Sequence, residues 1–487
     1  MRFVRLAPLI ALATGGCLQQ GSSSAVDAAA RAMGGRDRIL AVRTLVLEGQ
    51  GEQLNFGQNH TPNAETKFAV TSYRWATDFP TRRHLIDVTR EPRFVTAVTT
   101  PQRIRLGLDG SVGYGILPNG NMTRAGAQAA ADRAHNRFLH PIGFLQAALD
   151  PATVVTEEAS GADARRIRIN VGGRQYAMIV DNATSLPRRI ETVVDQPMLG
   201  DVTLVMDLSD YQDAAGLRVP GRMVQRYESL FTLSDIRVAR TRINEDVGSL
   251  AATDSIRGIT LPAGPPAPNI VVEDIAPGVW SIAGQTHHTI AIEQANRIVL
   301  IEAPQSDARS RAAIARAREL RPGKPVDMLV NTHHHFDHSG GLRAAMSEGL
   351  TILTHEGNRD FYERTVAARR HTIAPDALSR SSRPPRIEAV GDKHVIADPQ
   401  RPIELYHVPN PHSGTMLVAY LPAERLLIQA DLYNPPNPNA PPPPGFPFVA
   451  SLLENIQRRG LQVERVVGIH GRVVPLSDLQ AAASRSP

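Results

Sequence analysis

The sequence predicts a layered α/β domain in the C-terminal half of the chain, preceded by a mostly antiparallel β domain. At 487 residues the chain is longer than one hydrophobic core usually organises, so two domains are expected. In the first half, short alternating apolar stretches recur between Gly, Pro, Asn and Asp residues, which is typical of antiparallel strands. In the second half, apolar stretches are followed directly by histidine or aspartate and then by helical segments, which is typical of layered α/β folds.

The N-terminus has the three regions of an export signal. A basic start at residues 1–5 precedes an apolar stretch at 6–14, and two glycines then lead to Cys17, the only cysteine of the chain. This arrangement resembles a bacterial lipoprotein processing site, although Thr14 stands where leucine is usual. We therefore expect residues 1–23 to direct the chain to the bacterial cell envelope, either as a lipoprotein whose membrane association is through lipidated Cys17 or as a periplasmic, secreted protein.

Residues 24–245 are predicted to form the antiparallel β domain. Its expected strands are 44–49, 83–88, 166–171, 176–181 and 202–208, with a helical insert from Ala127 to Leu149. The pattern resembles the half-barrel of the lipoprotein-carrier families, which implies binding of a lipid or lipoprotein, but a spacer or dimerisation domain without a ligand explains it equally. The proline-rich stretch within residues 246–269 predicts a linker.

Residues 270–487 are predicted to form the second domain. Strands are expected at 278–283, 289–293 and 298–301, a helix at 306–320, and a buried strand at 326–330. A further stretch, 434–447, is so rich in proline that it predicts a stiff loop, either a wall beside the site described next or an exposed linker. If this loop folds inward, Phe446 and Phe448 are expected to touch a substrate.

The most informative motif follows the strand at 326–330. Four side chains, His333, His335, Asp337 and His338, lie within one short loop before a predicted helix, and imidazole nitrogen and carboxylate oxygen suit zinc and related divalent ions. A histidine run can also be a solvated loop or an adventitious metal tract. The position of this motif between a strand and a helix favours a metal site formed by the fold.

Three later residues each follow an apolar strand in the same way: His412, Asp431 and His470. One loop cannot complete two coordination shells, so these residues are the expected remaining ligands.

The order and spacing of these motifs resemble the metallo-β-lactamase fold superfamily over roughly residues 270–482. The resemblance implies an αβ/βα sandwich, two divalent metal ions, zinc or alternatively iron, and a hydrolytic reaction. Position by position it implies that His333, His335 and His412 hold the first ion, that Asp337, His338 and His470 hold the second, and that Asp431 bridges them. The family usually has an aspartate at the end of an early strand, where this chain has Glu302, so the hydrogen bonds made there are left open.

Three functional classes remain from the sequence. The leading class is a metal-dependent hydrolase acting on a small ester, lactone, thioester or lactam, with Asp337 orienting the attacking water and returning its proton. The alternatives are a mononuclear iron oxidoreductase of the persulfide dioxygenase kind, and an envelope lipid-binding or lipoprotein-binding protein. A small molecule is the expected partner. The sequence does not indicate the oligomeric state.

Nucleic acid is not an expected partner. The formal net charge is +5, but only three of the 53 basic residues are lysine and no dense basic cluster with interleaved aromatic residues occurs. Beyond the N-terminal stretch, no segment approaches the about 18 consecutive apolar residues that a membrane span needs.

His334 and the histidines of an early turn are interpreted separately from the ligands. His334 alternates with His333 and His335 on an extended segment, so its side chain is expected on the opposite side. His287 and His288 lie in a predicted turn that would overhang the site, where contact with a substrate is one interpretation. His355 is expected to start a helix.

Overall fold

The computed structural model describes residues 24–96, 98–264, 266–436 and 447–485. Cys17, Phe446 and most of the proline-rich stretch 434–447 lie outside the described residues. None of the helices described is long and apolar enough to cross a membrane.

The first half of the chain is built mainly from strands, as the alternating pattern predicted. Its elements are α1 (Ser24–Ala32), α2 (Arg36–Leu40), β1 (Thr44–Leu54), β2 (Lys67–Asp78), β3 (Arg83–Pro92), β4 (Gln102–Asp109), β5 (Val112–Ile116), β6 (Met122–Arg124), α3 (Ala127–His135), α4 (Pro141–Ala148), β7 (Val155–Ala159), β8 (Ala164–Val171), β9 (Arg174–Asp181), β10 (Pro187–Gln196), β11 (Gly200–Ser209), β12 (Gln212–Ala214), β13 (Leu217–Val219), β14 (Arg222–Tyr227) and β15 (Phe231–Ile243). The four-residue helix α5 (Asp254–Arg257) follows within the predicted linker.

One large antiparallel sheet carries this half. The strand order is β6-β5-β4-β3-β2-β1-β15-β14-β11-β10-β9-β8-β7, and β12 pairs with β13 alone. Ala29 of α1, Ile39 of α2 and Leu145 of α4 are buried in one cluster with strand residues such as Leu47 and Ile190. The chain's own helices therefore cover one face of the sheet, in the region where the helical insert was predicted.

The second half is made of two sheets and their helices. Its elements are β16 (Val271–Ala276), β17 (Val279–Ala283), β18 (Thr289–Glu293), β19 (Ile298–Ile301), α6 (Asp307–Leu320), β20 (Val326–Val330), α7 (Phe336–Ser339), α8 (Leu342–Ser347), β21 (Thr351–His355), α9 (Glu356–Phe361), β22 (Arg386–Val390), β23 (Lys393–Ile396), β24 (Ile403–His407), β25 (Leu417–Leu421), β26 (Leu426–Gln429), α10 (Val449–Arg458), β27 (Arg465–Gly468), β28 (Val474–Pro475) and α11 (Leu476–Ala483). Residues Tyr362–Ala367 continue α9 as a π-helix.

The two sheets pack face to face with helices outside. Strands β16 to β22 form one sheet in sequence order and β23 to β28 form the other. Val299 and Leu353 of the first sheet share a buried cluster with Leu405 and Ile428 of the second. The outer face of the first sheet packs against α6 and α8, and the outer face of the second packs against α10 and α11. This is the αβ/βα sandwich that the resemblance implied.

Strand β19 shows why these strands are apolar throughout. All four of its residues are buried, with Val299 in the cluster between the sheets and Leu300 in the cluster under α6. Because helices cover the outside and a second sheet covers the inside, neither face of the strand meets water. Polar side chains lie instead at the edge of the sandwich, where the strands end.

Two turns of the large sheet contact the second half of the chain. In the turn between β10 and β11, Met198 and Leu199 join the buried cluster under α6, and the Asp201 amide donates to the Arg370 carbonyl at 2.8 Å. The other turn, between β1 and β2, contacts the edge where the predicted ligands lie.

Candidate metal centre

The histidine-rich loop begins directly after β20, and its backbone is fixed by buried hydrogen bonds. The Tyr362 hydroxyl donates to Asn331 Oδ1 at 2.6 Å, and the Ser339 hydroxyl donates to the His335 carbonyl at 2.8 Å. His333 and His335 are buried. His334 points elsewhere, with Nδ1 3.1 Å from the Thr415 hydroxyl, which agrees with the predicted alternation.

The first group of candidate ligands contains four residues. Ligand atoms of His333, His335, His412 and Asp431 all lie within 4.8 Å of one another. Asp431 Oδ2 is 3.2 Å from His333 Nε2 and 3.1 Å from His412 Nε2. These side chains come from three separate strand ends, so the sandwich brings together the residues that the sequence predicted for the first ion.

The second group contains three histidines. Ligand atoms of His287, His338 and His470 lie within 4.8 Å of one another, and Nε2 of His338 is 3.3 Å from Nε2 of His470. Asp431 reaches this group as well, with Oδ2 2.9 Å from His338 Nε2 and Oδ1 2.8 Å from His470 Nε2. The carboxylate of Asp431 therefore lies between the two groups, in the position expected of a bridging ligand.

Two carboxylates of the centre stand on left-handed backbone. Asp431 follows β26 with φ of 61°, and Glu302 follows β19 with φ of 76°. Such conformations are strained for residues with a Cβ and concentrate at functional sites. The side chain of Gln429 holds the turn around Asp431, since its Oε1 accepts from the amides of Leu432 and Tyr433 at 3.1 Å each.

Hydrogen bonds on the far nitrogen orient three of the imidazoles. His338 Nδ1 donates to Glu302 Oε2 at 3.0 Å, His470 Nδ1 donates to the Thr286 carbonyl at 3.0 Å, and His335 Nε2 donates to the Asn59 carbonyl at 2.9 Å. An oxygen acceptor of this kind fixes the tautomer and leaves the other ring nitrogen unprotonated for a metal. His335 Nδ1 is buried without a hydrogen-bond partner among the described residues, which fits a metal-binding role.

The electrostatics of the pocket also fit divalent cations. Burial lowers the pKa of His333 to about 4 and holds the pKa of His335 well below its usual range, so both rings are neutral, the form that binds metal. Burial alone would lower the pKa of His338, but the carboxylates of Asp431 and Glu302 raise it well above its ordinary value. Positive charge is therefore stabilised beside Asp431.

Asp337 lies at the rim of the second group. Its Oδ2 accepts from His287 Nε2 at 3.3 Å and lies 3.9 Å from His338 Nε2, while Oδ1 accepts from Gln58 Nε2 at 2.6 Å. Burial raises the pKa of Asp337, but the hydrogen bond from His287 and the charge of His338 lower it by more, so the pKa lies below its ordinary value. The carboxylate is ionised and adjacent to the centre, and its predicted role as a ligand stays a prediction.

The seven residues predicted as ligands all lie at this edge, six of them in the two groups. From the sequence, His287 is interpreted only as a residue that could contact a substrate. In the structure it lies in the second group of candidate ligands. Its signal was present in the turn Gly284–His288, but no strand end pointed to it. His355 starts α9, as predicted, and its Nδ1 accepts from the Gly357 amide at 3.1 Å.

A small pocket of about 90 Å³ opens beside His335 and His412. Its other described lining residues come largely from the first half of the chain: Asn55, Gln58, His60, Thr66, Phe94, Val95 and Thr96, together with Pro411 and Phe448. None of these described lining residues is Asp, Glu, Lys or Arg. The Phe448 ring lies 5.0 Å from the His412 ring, so one of the two phenylalanines expected to touch a substrate lies beside the site, and the substrate contact itself stays a prediction.

Comparison with known proteins finds a family model that matches the part of the chain that carries this centre. The family model described as the metallo-beta-lactamase superfamily matches residues 285–470. The alpha subunit of 2,4-dinitroanisole O-demethylase from Nocardioides sp. (strain JS1661) is 30% identical over 190 residues, which is 38% of this chain and 54% of that protein. The chain thus spans about half the length of this curated relative.

Solved structures are similar to a little under half of the chain. A metallo-β-lactamase from Pontibacter korlensis is 19% identical, covers 44% of this chain and 98% of its own, and has a TM-score of 0.34. The mono-zinc form of the metallo-β-lactamase FIM-1 from Pseudomonas aeruginosa is 14% identical, covers 44% of this chain and 94% of its own, and also has a TM-score of 0.34. The family match over residues 285–470, with the two packed sheets and their outer helices, identifies the C-terminal domain of this chain as a metallo-β-lactamase-fold domain.

Proposed function

We propose that the chain is a hydrolase that uses two divalent ions, zinc in the first instance, to cleave a small uncharged ester, lactone, thioester or lactam. The observation that carries the proposal is the pair of histidine groups joined by Asp431. Bound ions in such a pair lower the pKa of water toward about 7 and polarise a carbonyl oxygen. Superfamily membership supports a metallohydrolase, and the joined groups support two ions.

Asp337 is assigned the proton transfer. Its carboxylate is ionised and is held by hydrogen bonds from Gln58 and His287, so it can accept a hydrogen bond from the attacking water and orient it. In ester hydrolysis the water oxygen forms a bond to the carbonyl carbon and the bond from that carbon to the leaving oxygen breaks. The proton taken from the water by Asp337 then passes to the leaving oxygen, which balances the reaction.

The lining of the pocket supports an uncharged substrate. With no acidic or basic side chain among its described residues other than histidine, the described lining offers no lysine or arginine to pair with a carboxylate or phosphate of the substrate. Phe94 and Phe448 supply aromatic surface. The substrate in the name of the Nocardioides relative, 2,4-dinitroanisole, is likewise an uncharged aromatic compound, so an aryl methyl ether belongs with the esters as a test substrate.

Two other classes are less well supported. A mononuclear iron oxidoreductase would use one group of ligands, whereas two groups are present and Asp431 contacts both. A lipid carrier of the half-barrel kind would hold acyl chains on one face of the sheet, and helices α1, α2 and α4 cover one face of the sheet in the first half.

The test is a substrate panel on purified, zinc-reconstituted protein. Chromogenic esters, lactones, thioesters, a β-lactam and an aryl methyl ether are assayed with and without a chelator, alongside a phosphodiester. We expect chelator-sensitive turnover of an uncharged substrate, lost in His333→Ala and retained in His394→Ala, whose histidine is exposed on β23. Turnover that survives both the chelator and His333→Ala, or no turnover of any hydrolysable substrate by fully metal-loaded protein, would contradict the proposal.

A further inference from the structure

The turn between β1 and β2, residues 55–66, contacts two of the three segments that carry the first group of ligands. We call it the β1–β2 loop. The Gly57 carbonyl accepts from the amide of Phe336, which lies between His335 and Asp337, at 3.0 Å. The His60 carbonyl accepts from the Gly414 amide, two residues after His412, at 2.8 Å. Main-chain hydrogen bonds thus fix the loop of one domain onto the ligand loops of the other.

Gln58 on this loop holds the carboxylate of Asp337. Its Nε2 donates to Asp337 Oδ1 at 2.6 Å, while His287 donates to the other carboxylate oxygen. A hydrogen bond to each oxygen fixes both the position and the rotation of the carboxylate. The donor from the β1–β2 loop is a neutral amide, so it orients Asp337 without adding charge.

The neighbouring residue holds a histidine of the first group. The Asn59 carbonyl accepts from Nε2 of His335, which directs Nδ1 of that ring toward the centre. Asn59 is 3% exposed, and its side-chain oxygen accepts from the Thr66 amide at 3.2 Å, which closes the loop on itself. A buried main-chain carbonyl held in this way can orient an imidazole, as the carboxylate of a side chain does in many metal sites.

The shape of the β1–β2 loop depends on Gly57. Its φ is 75°, and an added Cβ would lie 2.8 Å from the ring of Phe336. Phe56 packs edge-on against the same ring, with centroids 5.2 Å apart. Only glycine permits this approach without displacing the segment that carries His335 and Asp337.

We propose that the β1–β2 loop is a working part of the catalytic centre and that Gln58 is a positioning residue for Asp337. The proposal rests on the hydrolase function proposed above. It gives the N-terminal domain a role that differs from a spacer or a carrier: it supplies hydrogen bonds to two residues of the centre and a wall of the adjoining pocket.

The test compares Gln58→Ala and Gln58→Met with the control Gln50→Ala, an exposed glutamine on β1. Methionine keeps the length of the side chain but removes the donor. Three quantities are measured: kcat and KM at saturating zinc, the affinity of each zinc ion by competition with a chromogenic chelator, and the melting temperature of the metal-free protein.

In both Gln58 variants we expect kcat, or the affinity for the second ion, to fall by about 10-fold to 100-fold. KM, the affinity for the first ion and the melting temperature should change little, and Gln50→Ala should match the wild type.

The results distinguish failure of the positioning role of Gln58 from failure of the proposed hydrolase function. If the wild type turns over substrate and binds two ions while both Gln58 variants match it in kcat and in both affinities, the positioning role is overturned and the hydrolase proposal stands. If Gln58→Met keeps full function while Gln58→Ala loses it, the side chain acts by packing and the positioning role is also overturned. A wild type that binds no metal and hydrolyses nothing instead defeats the underlying function.

Discussion

Glu302 accepts a hydrogen bond from His338 across 3.0 Å, and both side chains are fully buried. The other oxygen of Glu302 accepts from the Thr332 amide at 2.6 Å. The carboxylate of Glu302 therefore joins the histidine-rich loop to the end of β19. The sequence left these bonds open because the family usually has the shorter aspartate there. The longer side chain still makes both bonds, from left-handed backbone.

The first prediction concerns this carboxylate. In Glu302→Ala, His338 loses the acceptor that fixes its tautomer, and the Thr332 amide is left buried without a partner. We expect the affinity for the second ion to fall by about 10-fold to 100-fold, with a clear loss of thermal stability. Zinc competition and thermal melting measure both. The variant Glu302→Asp is the control, and it should keep more metal affinity than Glu302→Ala; equal affinity in Glu302→Ala and the wild type would contradict the assignment.

Many residues of this centre could be predicted because local sequence patterns mark them. Each of His333, His412, Asp431 and His470 follows an apolar strand, and strand ends of a sandwich meet at one edge, so sequence order was enough to bring them together. The large antiparallel sheet was likewise visible from alternation. Its strand order was not visible, since β1 pairs with the distant β15, joining Leu45 to Ile243.

The contacts of the β1–β2 loop could not be predicted in the same way. Gln58 and Asp337 are separated by 279 residues, and nothing in a single glutamine marks it as a partner of a distant carboxylate. The Asn59 contact uses a main-chain carbonyl, which every residue has. Such contacts depend on how two domains pack, and neither periodicity nor motif spacing encodes that.

The second prediction concerns Asp337. Replacing it by asparagine keeps the shape but removes the group that accepts the proton, so kcat should fall by about 100-fold or more. The rate is measured on metal-loaded protein, with Asp213→Asn, an exposed aspartate of the first half, as the control. Wild-type kcat in metal-loaded Asp337→Asn would refute the role.

The third prediction separates two roles of His287. Its Nε2 donates to Asp337, although the ring also lies among the second group. We expect His287→Ala to retain two ions at saturating zinc and to lose about 10-fold in kcat, because Asp337 is then held only by Gln58. Metal content by mass spectrometry and steady-state rates test this. Loss of one ion would instead make His287 a ligand.

The fourth prediction concerns stability in acid. Burial lowers the pKa of His140, at the start of α4, to about 3, whereas the unfolded chain has a histidine pKa of about 6.5. Between these values the unfolded state binds more protons, so the free energy of unfolding decreases as the pH falls from about 6.5. His140→Asn keeps a capping side chain for the Ile142 amide but does not titrate.

Urea unfolding checks this at about pH 7.5 and about pH 5, on either side of the histidine pKa of the unfolded chain. The wild type should lose up to about 1.4 kcal/mol more per pH unit below about 6 than His140→Asn does. His84 and His135 have pKa values lowered to about 4 by burial and neighbouring charges, so the variant keeps some acid sensitivity. An identical pH dependence in both proteins would contradict burial of a neutral His140.

The measurement that bears most directly on the centre is the number of metal ions per chain in the purified, zinc-equilibrated protein and in two variants. The wild type should bind two divalent ions, His412→Ala should weaken the first, and His470→Ala should weaken the second, each variant retaining the other ion. A wild type without bound metal, or variants whose metal content and affinities equal those of the wild type, would contradict a centre built from these side chains.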